Sequence, residues 1–451
     1  MTTDVVVIGA GVAGLSAAVR LSAAGRSVVV VEEAPRMGGR ATAFTDRETG
    51  ERVDNGQHVL FGCYRETYAF LRQIGAEDRA PLDTTLALTM ASSDGRRHPL
   101  VCPPWPPPWH LIAGVMRWPA LGIGDRLSAA RIGPLLRNVR KHGAAAVAAR
   151  VPPAMTVADW LTSMRQSPRI RQWLWNPLAI AALNQSPDVA AAAPFVRVLG
   201  EMFGPRPIDS AIGLPRVPLD ELYAEPARQF IERAGGSIIT KASARVELNA
   251  AGTGVGGVRF GDTTIDARSV VSSVPWHTFT RIWDGSVPAA LATIAANAAA
   301  LGSSPIVTVN LWFDGPVMTN RFVGLVDGPM HWVFDKSAIF GEVAGHLSVV
   351  ASGADDLAAM DNPAVTRAAT EQLARALPET RARTLVRSVV VREHRASFSL
   401  APGGPPRPGT TTPLAGFLLA GDWVDTGLPG TIEGAALSGR LAADAVLARP
   451  R

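Results

Sequence analysis

The first forty residues constrain the fold more strongly than any other part of the chain. An uninterrupted apolar run over residues 5–8 predicts a buried parallel strand, which leads directly into the glycine-rich segment 9–14. An Ala- and Leu-rich helix is predicted from there to about residue 24, and Gly25 stands where a C-terminal cap belongs. A second buried strand is predicted over residues 28–31. This order predicts an α/β protein that begins with a Rossmann-type nucleotide-binding unit.

Each small residue of the turn has a physical role in such a unit. Gly9 permits the tight turn, and Gly11 lets the backbone approach a pyrophosphate closely. Gly14, next to Ala13, lets the helix pack against the strand. The free N–H groups at the start of the helix then face the phosphates. We therefore interpret Gly9, Gly11, Ala13 and Gly14 as cofactor-binding residues.

Acidic residues follow the second strand. Glu32 lies about 20 residues after the glycine turn, where an acidic residue binds ribose hydroxyls, and Glu33 follows it. A carboxylate here disfavours NADP and leaves FAD and NAD open. Gly39 and Arg40 then close a Gly-Gly-Arg turn that supplies a second phosphate contact, which favours the longer cofactor, FAD. An ordinary surface turn with a solvated arginine is the alternative.

The C-terminal end of the chain carries a matching pattern. A short apolar strand over 417–422 ends in a Gly-Asp pair, and small residues open a final helix near residue 430. A carboxylate at a strand end can hold ribityl hydroxyls, and a helix N-terminus can face the flavin edge where negative charge develops on reduction. A plain terminal strand and helix is the alternative. The candidate flavin contacts are Gly421, Asp422, Gly430, Thr431 and Ile432.

These motifs resemble those of the flavin amine-oxidase and carotenoid-desaturase superfamily. Within it, VDNGQHVLFGCYRET at 53–67 and AGDWVDTGLPGTIEGA at 420–435 look like the squalene-associated FAD-dependent desaturases, a family of hydroxysqualene dehydroxylases. The resemblance spans essentially the whole chain. It implies an amine-oxidase-like architecture, in which a Rossmann-type FAD domain is interleaved with an α+β substrate domain. It also implies an adenine contact at Val246.

The resemblance and the residue pattern together predict the domain organisation. Residues 230–275 read as an antiparallel meander that extends the FAD domain, and 252–257 reads as a hairpin turn because no helix follows it. We therefore expect no second nucleotide site. Strands at 306–313 and 331–334 are expected to form a sheet over the flavin. The predicted FAD domain comprises 1–80, 215–284 and 391–451, and the predicted substrate domain comprises 81–214 and 285–390.

The reaction implied by the resemblance is reductive removal of the hydroxyl of hydroxysqualene to give squalene and water. Protonation of the allylic alcohol lets water leave, and reduced flavin then delivers a hydride to the delocalised cation. Such a site needs a proton donor in a dry apolar tunnel, whose lining we expect from residues 170–205 and 306–334. The candidate donors are Asp54, His58, Asp425 and Tyr64.

Structural roles compete with these catalytic ones. His58 can be a satisfied core histidine, and Asp425 can be a loop residue. Glu433 can complement the dipole of the last helix. Lys336 either holds a water at the flavin, as lysines do in related amine oxidases, or is a solvated or paired surface residue.

The composition indicates where in the cell the protein is located and which classes of partner it does not bind. The chain is 47% hydrophobic and 18% charged with a net charge of +5, so it is a folded protein rather than a disordered one. No basic run interleaved with aromatic residues indicates nucleic-acid binding. Cys63 and Cys102 form neither a disulfide framework nor a metal-ligand spacing, and we expect no metal. We expect no signal peptide, no transmembrane helix and a cytoplasmic protein.

One segment predicts contact with a membrane surface. Residues 101–119 contain Trp105, Trp109 and Trp118 among prolines and aliphatic residues, and an arginine-rich stretch follows over 126–140. Tryptophan rings beside cations are typical of an interfacial anchor, here at the inner face of the cytoplasmic membrane. The alternative is a proline-stiffened loop whose tryptophans fill the core of the substrate domain.

Three other functions remain open from the sequence. A carotenoid or other polyprenoid desaturase shares the fold and the flavin. An amine oxidase is disfavoured because the only tyrosines are Tyr64, Tyr68 and Tyr223, too few for a tyrosine-rich aromatic cage. No cysteine lies near the C-terminal motif, so we expect non-covalent FAD. The third open function, besides the desaturase and the amine oxidase, is a non-catalytic lipid carrier. A polyprenoid lipid substrate and an unidentified external reductant are the expected partners.

Overall fold

The computed structural model describes residues 2–341 and 344–449. Strands are numbered along the described chain. They are β1 Thr2–Ile8, β2 Val28–Val31, β3 Ala43–Thr45, β4 Arg52–Asp54, β5 Leu60–Phe61, β6 Ala87–Ala91, β7 Arg97–Val101, β8 Ile212–Gly213, β9 Ser237–Ile239, β10 Arg245–Leu248, β11 Val255–Phe260, β12 Thr263–Ser272, β13 Ser303–Phe313, β14 Phe322–Leu325, β15 Trp332–Asp335, β16 His346–Ser352, β17 Leu385–Phe398 and β18 Phe417–Leu419.

Helices are numbered in the same way. They are α1 Val12–Ala23, α2 Arg65–Gln73, α3 Trp109–Arg117, α4 Ile123–Ala130, α5 Gly133–His142, α6 Ala144–Ala148, α7 Val157–Ser163, α8 Pro168–Ile170, α9 Asn176–Leu183, α10 Ala192–Met202, α11 Glu225–Arg233, α12 Ala292–Ala300, α13 Lys336–Phe340, α14 Asp355–Ala359, α15 Asn362–Ala376 and α16 Ile432–Leu447. Short 3₁₀ or π turns span Glu77–Arg79, Arg171–Trp175, Pro207–Ser210, Asp220–Ala224, Trp276–Ile282, Ala289–Leu291 and Pro378–Ala382.

The first sheet carries the predicted nucleotide-binding unit. Strands β9, β2, β1 and β12 lie side by side and parallel, and the far edge of β12 pairs with β18 in parallel and with β11 in antiparallel orientation. The apolar residues of β1 and β2 are buried, as expected of parallel strands covered on both faces. The predicted α/β class with a Rossmann-type unit is therefore confirmed.

The predicted meander over 230–275 is only partly right. Strands β10, β11 and β12 are antiparallel neighbours. The hairpin predicted at 252–257 is present, but its turn spans residues 249–254, and residues 255–257 already belong to β11. Strand β9, however, pairs in parallel with β2. The reason is that β9 follows the helix α11, and a helical crossover returns the chain in the parallel direction.

Two glycines let the helices of this domain pack closely. A Cβ at Gly14 would lie 2.0 Å from the carbonyl oxygen of Gly9, so α1 packs against the glycine turn only because the residue has no side chain. A Cβ at Gly439 in α16 would lie 2.3 Å from the carbonyl oxygen of Ala13 in α1. The first and last helices of the chain are thus held side by side.

The second sheet belongs to the predicted substrate region. Its order is β17-β13-β16-β15-β14-β6-β7, with β6 and β14 parallel and the other neighbours antiparallel. The strands predicted at 306–313 and 331–334 are β13 and β15. One face of the sheet packs against α15, and the opposite face joins the core cluster that contains residues of α9 and α10. Strand β17 runs to Phe398, beyond the predicted boundary at residue 390.

The tryptophans of the segment 101–119 divide into two groups. Trp105 and Trp109 are 45% and 61% exposed, whereas Trp118 is 1% exposed and donates its indole N–H to the carbonyl oxygen of His98. Trp118 is therefore a core residue, and its prediction as an interfacial anchor was wrong, because it follows α3 and turns inward. Within the described residues, no helix is long and apolar enough to span a membrane.

Candidate active site

The N-terminal glycine turn has the backbone that the motif predicts. Gly9 has φ +99°, and its N–H donates to the carbonyl oxygen of Val31 at 2.8 Å. Gly11 forms an isolated bridge with Gly38, and a Cβ at Gly11 would meet nothing closer than the Cα of Gly39 at 3.9 Å. The turn is tight, but the space in front of Gly11 is open, as a close approach of phosphate to backbone requires.

The N-terminus of α1 is open to an anion. Gly11 occupies the N-cap position and supplies no side-chain acceptor, and the first turn contains no acidic residue. The first N–H groups of a helix need an acceptor from outside the helix. This arrangement fits the pyrophosphate of a dinucleotide.

The two acidic residues after β2 have different surroundings. The carboxylate of Glu32 accepts the N–H of Ala10 at 2.6 Å and the N–H of Ala34 at 2.8 Å, so it also fixes the glycine turn. Glu33 is exposed and accepts the hydroxyl of Ser243 at 3.2 Å. Of the two, Glu32 lies directly beside the glycine turn.

An ion pair joins the N-terminal and C-terminal motifs. A guanidinium nitrogen of Arg40 lies 2.5 Å from a carboxylate oxygen of Asp422, which is buried. A second nitrogen of Arg40 donates to the carbonyl oxygen of Ala396 at 2.8 Å, and the guanidinium lies over the ring of Trp276. Segments that are remote in the sequence thus form one site, as the motifs predict for a single cofactor.

The predicted C-terminal contacts lie around the start of α16. Thr431 is the N-cap, and its hydroxyl oxygen accepts the N–H of Gly434 at 3.1 Å, while Ile432 is the first helical residue. A Cβ at Gly430 would lie 3.3 Å from a carboxylate oxygen of Asp422. Gly421 has φ +127°, and Val246 is buried on β10. The residues present therefore fit a flavin dinucleotide: an open helix N-terminus, a close glycine turn and a paired arginine.

A cavity of about 440 Å³ adjoins the candidate cofactor contacts at the start of α16. It is bounded on one side by residues 428–432 and 56–59, and on the other by the second sheet, α9 and α10. The apolar part of its lining includes Val59, Phe61, Leu86, Leu88, Met90, Trp173, Leu174, Leu178, Val198, Met202, Phe203, Ile212, Ile306, Phe322, Trp332, Phe334 and Val350. The predicted segments 170–205 and 306–334 both contribute, together with residues from β6 and β16, which lie outside the predicted segments.

Two of the four candidate proton donors line this cavity. The Nδ1 atom of His58 lies 2.8 Å from the carbonyl oxygen of Gly56, and burial lowers the pKa of the His58 imidazole. The neutral ring therefore donates from Nδ1 and keeps its lone pair on Nε2. Burial raises the pKa of the Tyr64 hydroxyl, so this group keeps its proton at neutral pH.

Asp54 lies beside the cavity rather than in its lining. One carboxylate oxygen accepts the N–H of Leu219 at 3.0 Å, and the other lies 2.8 Å from the ammonium of Lys336. Lys336 also donates to the side-chain oxygen of Gln57, which does line the cavity. Lys336 is 1% exposed, so the interpretation of this residue as a surface lysine is wrong.

The remaining two acidic residues serve the local architecture. The side chain of Asp425 is 57% exposed; it pairs with Arg407 and accepts the N–H of Gly427, and it does not line the cavity. Glu433 lines the cavity, but its carboxylate accepts the N–H groups of Glu66 and Thr67 at 3.0 and 2.9 Å. It thereby caps the N-terminus of α2, and burial raises the pKa of its carboxyl group.

The structure also assigns roles that the sequence did not indicate. The hydroxyl of Tyr223 lies 2.6 Å from the carbonyl oxygens of Gly38 and Ala41, which orders the Gly-Gly-Arg turn. An ion pair between Arg197 and Glu201 lines the polar end of the cavity. No local pattern marks the role of Tyr223, because it acts on a segment that is distant in the sequence. The spacing of four residues between Arg197 and Glu201 is compatible with a helical ion pair, but it does not indicate that the pair lines a cavity.

Comparison with known proteins places this geometry in context. Residues 12–447 match the model of the family described as flavin containing amine oxidoreductase. A hydroxysqualene dehydroxylase from Rhodopseudomonas palustris is 30% identical over the full length of both chains. A probable zeta-carotene desaturase from Synechococcus elongatus is 26% identical over 98% of each chain.

The solved structures agree on the fold. Cyclohexylamine oxidase from Brevibacterium oxydans superposes with a TM-score of 0.70 at 17% identity, covering 99% of each chain. At this level of identity the similarity concerns the fold alone. The predicted amine-oxidase-like architecture is confirmed.

Proposed function

Since the chain belongs to the flavin containing amine oxidoreductases, and within them to the hydroxysqualene dehydroxylase family, we propose that it reductively removes the hydroxyl of hydroxysqualene to give squalene. The protein is a flavin-dependent oxidoreductase. The observation that carries the substrate assignment is the cavity, whose lining is almost entirely apolar apart from the cofactor side and one polar end. A hydrocarbon chain with a single hydroxyl matches such a lining.

FAD is the proposed flavin, and its attachment is non-covalent. The residues that would hold it are those of the glycine turn, Arg40, Asp422 and the start of α16. Cys63 lines the cavity, but burial raises the pKa of its thiol, which therefore stays protonated and unreactive. Cys102 is buried elsewhere, and burial raises its pKa to about 12.

The proposed reaction balances as one alcohol, one proton and one hydride giving one hydrocarbon and one water. When bound and reduced, FAD supplies the hydride, and an external reductant must restore it. The chain's own residues exclude water and deliver the proton. We assign the proton transfer to His58, because its cation is a strong acid in an apolar cavity, and a hydrogen bond to the substrate hydroxyl to Tyr64. Asp54 positions the 54–58 segment through Lys336 and Gln57.

Peripheral membrane contact is part of the proposal. The α3–α4 surface (Trp105, Trp109, Ile112, Met116, Ile123 and Leu127) is exposed and apolar. The guanidinium of Arg117 lies over the ring of Trp105, and the exposed cations Arg137, Arg140 and Lys141 lie on α5. Apolar side chains beside cations match the boundary of an anionic bilayer, from which a squalenoid substrate enters. The proposed location is the inner face of the cytoplasmic membrane.

An anaerobic single turnover tests the function. The flavin-loaded protein is reduced with stoichiometric dithionite, hydroxysqualene is added, and the flavin absorbance is followed while lipids are extracted. Reoxidation with one equivalent of squalene supports the proposal. A flavin that stays reduced, with the alcohol recovered intact, overturns it and favours a desaturase acting on another polyprenoid, as in the relative from Synechococcus elongatus.

A further inference from the structure

The proposed reaction, on which the following inference rests, creates a positive charge inside an apolar cavity. When the protonated hydroxyl leaves as water, the allylic carbon keeps a cation until a hydride fills it. A charge in a medium of low dielectric constant is costly unless the surroundings compensate it. The cavity must therefore contain either a free carboxylate or another group that attracts a cation.

The carboxylates in the described lining are already engaged. Glu66 pairs with Arg440 at 3.0 Å, and Glu201 pairs with Arg197 at 2.9 Å. Glu433 accepts the N–H groups at the start of α2 and the hydroxyl of Thr67. Each of these charges is thus balanced by another partner, so a cation in the apolar part of the cavity depends on other groups.

Aromatic rings line the opposite side of the cavity. Phe322 on β14 and Phe334 on β15 are cross-strand partners, and their rings stack with centroids 5.9 Å apart. The ring of Trp332 lies 6.2 Å from that of Phe322. We call Phe322, Trp332 and Phe334 the aromatic wall; all three line the cavity.

The fold makes specific room for Trp332. Gly324 faces Trp332 across the strands, and a Cβ at Gly324 would lie 2.9 Å from the indole ring and 2.3 Å from the sulfur of Met90. The indole nitrogen of Trp332 is buried without a hydrogen-bond partner among the described residues. A phenylalanine would avoid that unpaired N–H group, so the indole at this position carries a cost in stability.

From these contacts we propose that the aromatic wall stabilises the cationic carbon of the reaction, with Trp332 as its main component. The negative π face of an aromatic ring attracts a cation, most strongly for tryptophan and most strongly where water is excluded. The wall compensates charge without offering a base that would remove a proton from the cation.

A second tryptophan in the lining provides a matched control. The guanidinium of Arg169 lies over the ring of Trp173 at 5.4 Å, and the ring also contacts His98 and Trp118. Its π face is thus occupied by a cation of the protein itself. Replacement of Trp173 by phenylalanine should therefore leave the preference of the cavity for a cationic over a neutral ligand nearly unchanged, even if it weakens the binding of both.

Ligand binding tests the proposal without turnover. The probe is a tertiary amine of squalene length, protonated at pH 7, and the neutral comparator is squalene; dissociation constants for both are measured on the flavin-loaded protein. We expect Trp332→Leu to weaken amine binding about tenfold or more relative to squalene, and Trp332→Phe about threefold. Trp173→Phe should change the ratio of the amine and squalene dissociation constants by less than about twofold.

Stability separates this role from a packing role. Trp332→Phe should unfold at the same temperature as the wild-type protein or higher, although its selectivity for the amine falls. If amine and squalene lose affinity equally in both Trp332 variants, the aromatic wall does not stabilise the charge. If the amine preference depends on Trp332 but hydroxysqualene is not converted, the proposed substrate is overturned. The aromatic wall would then still be a cation-binding surface, but its role toward a cationic carbon of that reaction would be overturned as well.

Discussion

The ammonium of Lys336 lies 2.8 Å from the carboxylate of Asp54, and both side chains are almost completely buried. Lys336 follows the end of β15 in the second sheet, and Asp54 precedes the segment that carries His58, so the pair joins these two parts of the protein. A buried ion pair contributes little net stability, but removal of one partner leaves an unbalanced charge in the interior.

We therefore expect Lys336→Met to lower the free energy of unfolding by about 3–5 kcal/mol. The measurement is urea-induced unfolding of the flavin-loaded protein. Arg72→Met is the control, because Arg72 pairs with Glu77 on the surface and should leave the unfolding midpoint unchanged. Equal midpoints for the Lys336 variant and the wild type would show that the ion pair between Asp54 and Lys336 does not form in solution.

The proton donor can be identified from the pH dependence of turnover. Burial lowers the pKa of His58 below its usual 6.5, so the ring is largely neutral at pH 7. If the cation of His58 is the acid, kcat/KM rises as the pH falls through neutrality and levels off below the lowered pKa. His58→Gln should abolish this dependence and reduce kcat/KM about 10²–10⁴-fold.

Tyr64→Phe is the matching variant at the second lining residue. Burial raises the pKa of Tyr64, so it contributes no titration near neutrality, and the variant should lose activity while keeping the wild-type pH profile. A flat profile in the wild type, with activity that is lost in Tyr64→Phe and kept in His58→Gln, would instead assign the proton to Tyr64. The variant Asp54→Asn tests the third candidate. Its unfolding midpoint should fall as it does for Lys336→Met, because it breaks the same ion pair.

The contact between the first and last helices predicts a link between packing and flavin binding. Gly439→Ala places a methyl group 2.3 Å from the carbonyl oxygen of Ala13 and should cost about 1–3 kcal/mol of stability. Because α1 and α16 both begin at the proposed cofactor site, flavin occupancy after purification should fall too. Gly133→Ala in α5 is the control: no atom lies within 4 Å of the added methyl group, so occupancy should not change.

Membrane contact predicts a specific loss on vesicles. Trp109→Ser combined with Ile123→Ser should weaken binding to anionic lipid vesicles at least about tenfold, since two exposed apolar side chains no longer enter the bilayer. Higher salt should weaken the wild-type binding as well. The control is Val386→Ser, which removes an exposed apolar residue on β17. Unchanged vesicle binding of the double variant would exclude the α3–α4 surface as the contact.

The N-terminal unit could be predicted because its determinants are local. The strand over residues 5–8, the glycine turn and the helix that ends before Gly25 follow from hydrophobic periodicity and from the positive φ that Gly9 and Gly25 adopt. The sequence predicted that two motifs serve one cofactor, but it did not predict that Arg40 of one motif pairs with Asp422 of the other.

Trp118 and Lys336 show where such prediction ends. A tryptophan near prolines and arginines has the composition of an interfacial residue, yet the turn after α3 directs Trp118 into the core. A lone lysine in the sequence gives no indication of burial, because the carboxylate that balances it lies in another segment. Both outcomes depend on how distant segments pack.

The sequence by itself determined the nucleotide-binding unit, its cofactor class and the family, because glycine conformation, hydrophobic period and motif spacing act over a few residues. The tertiary structure alone decided which side chains share the cavity, which carboxylates are already balanced, and how burial shifts the pKa values of His58 and Tyr64. Those properties arise from desolvation and from contacts between β6, α9, α10, the second sheet and the final helix, which form only when the whole chain folds.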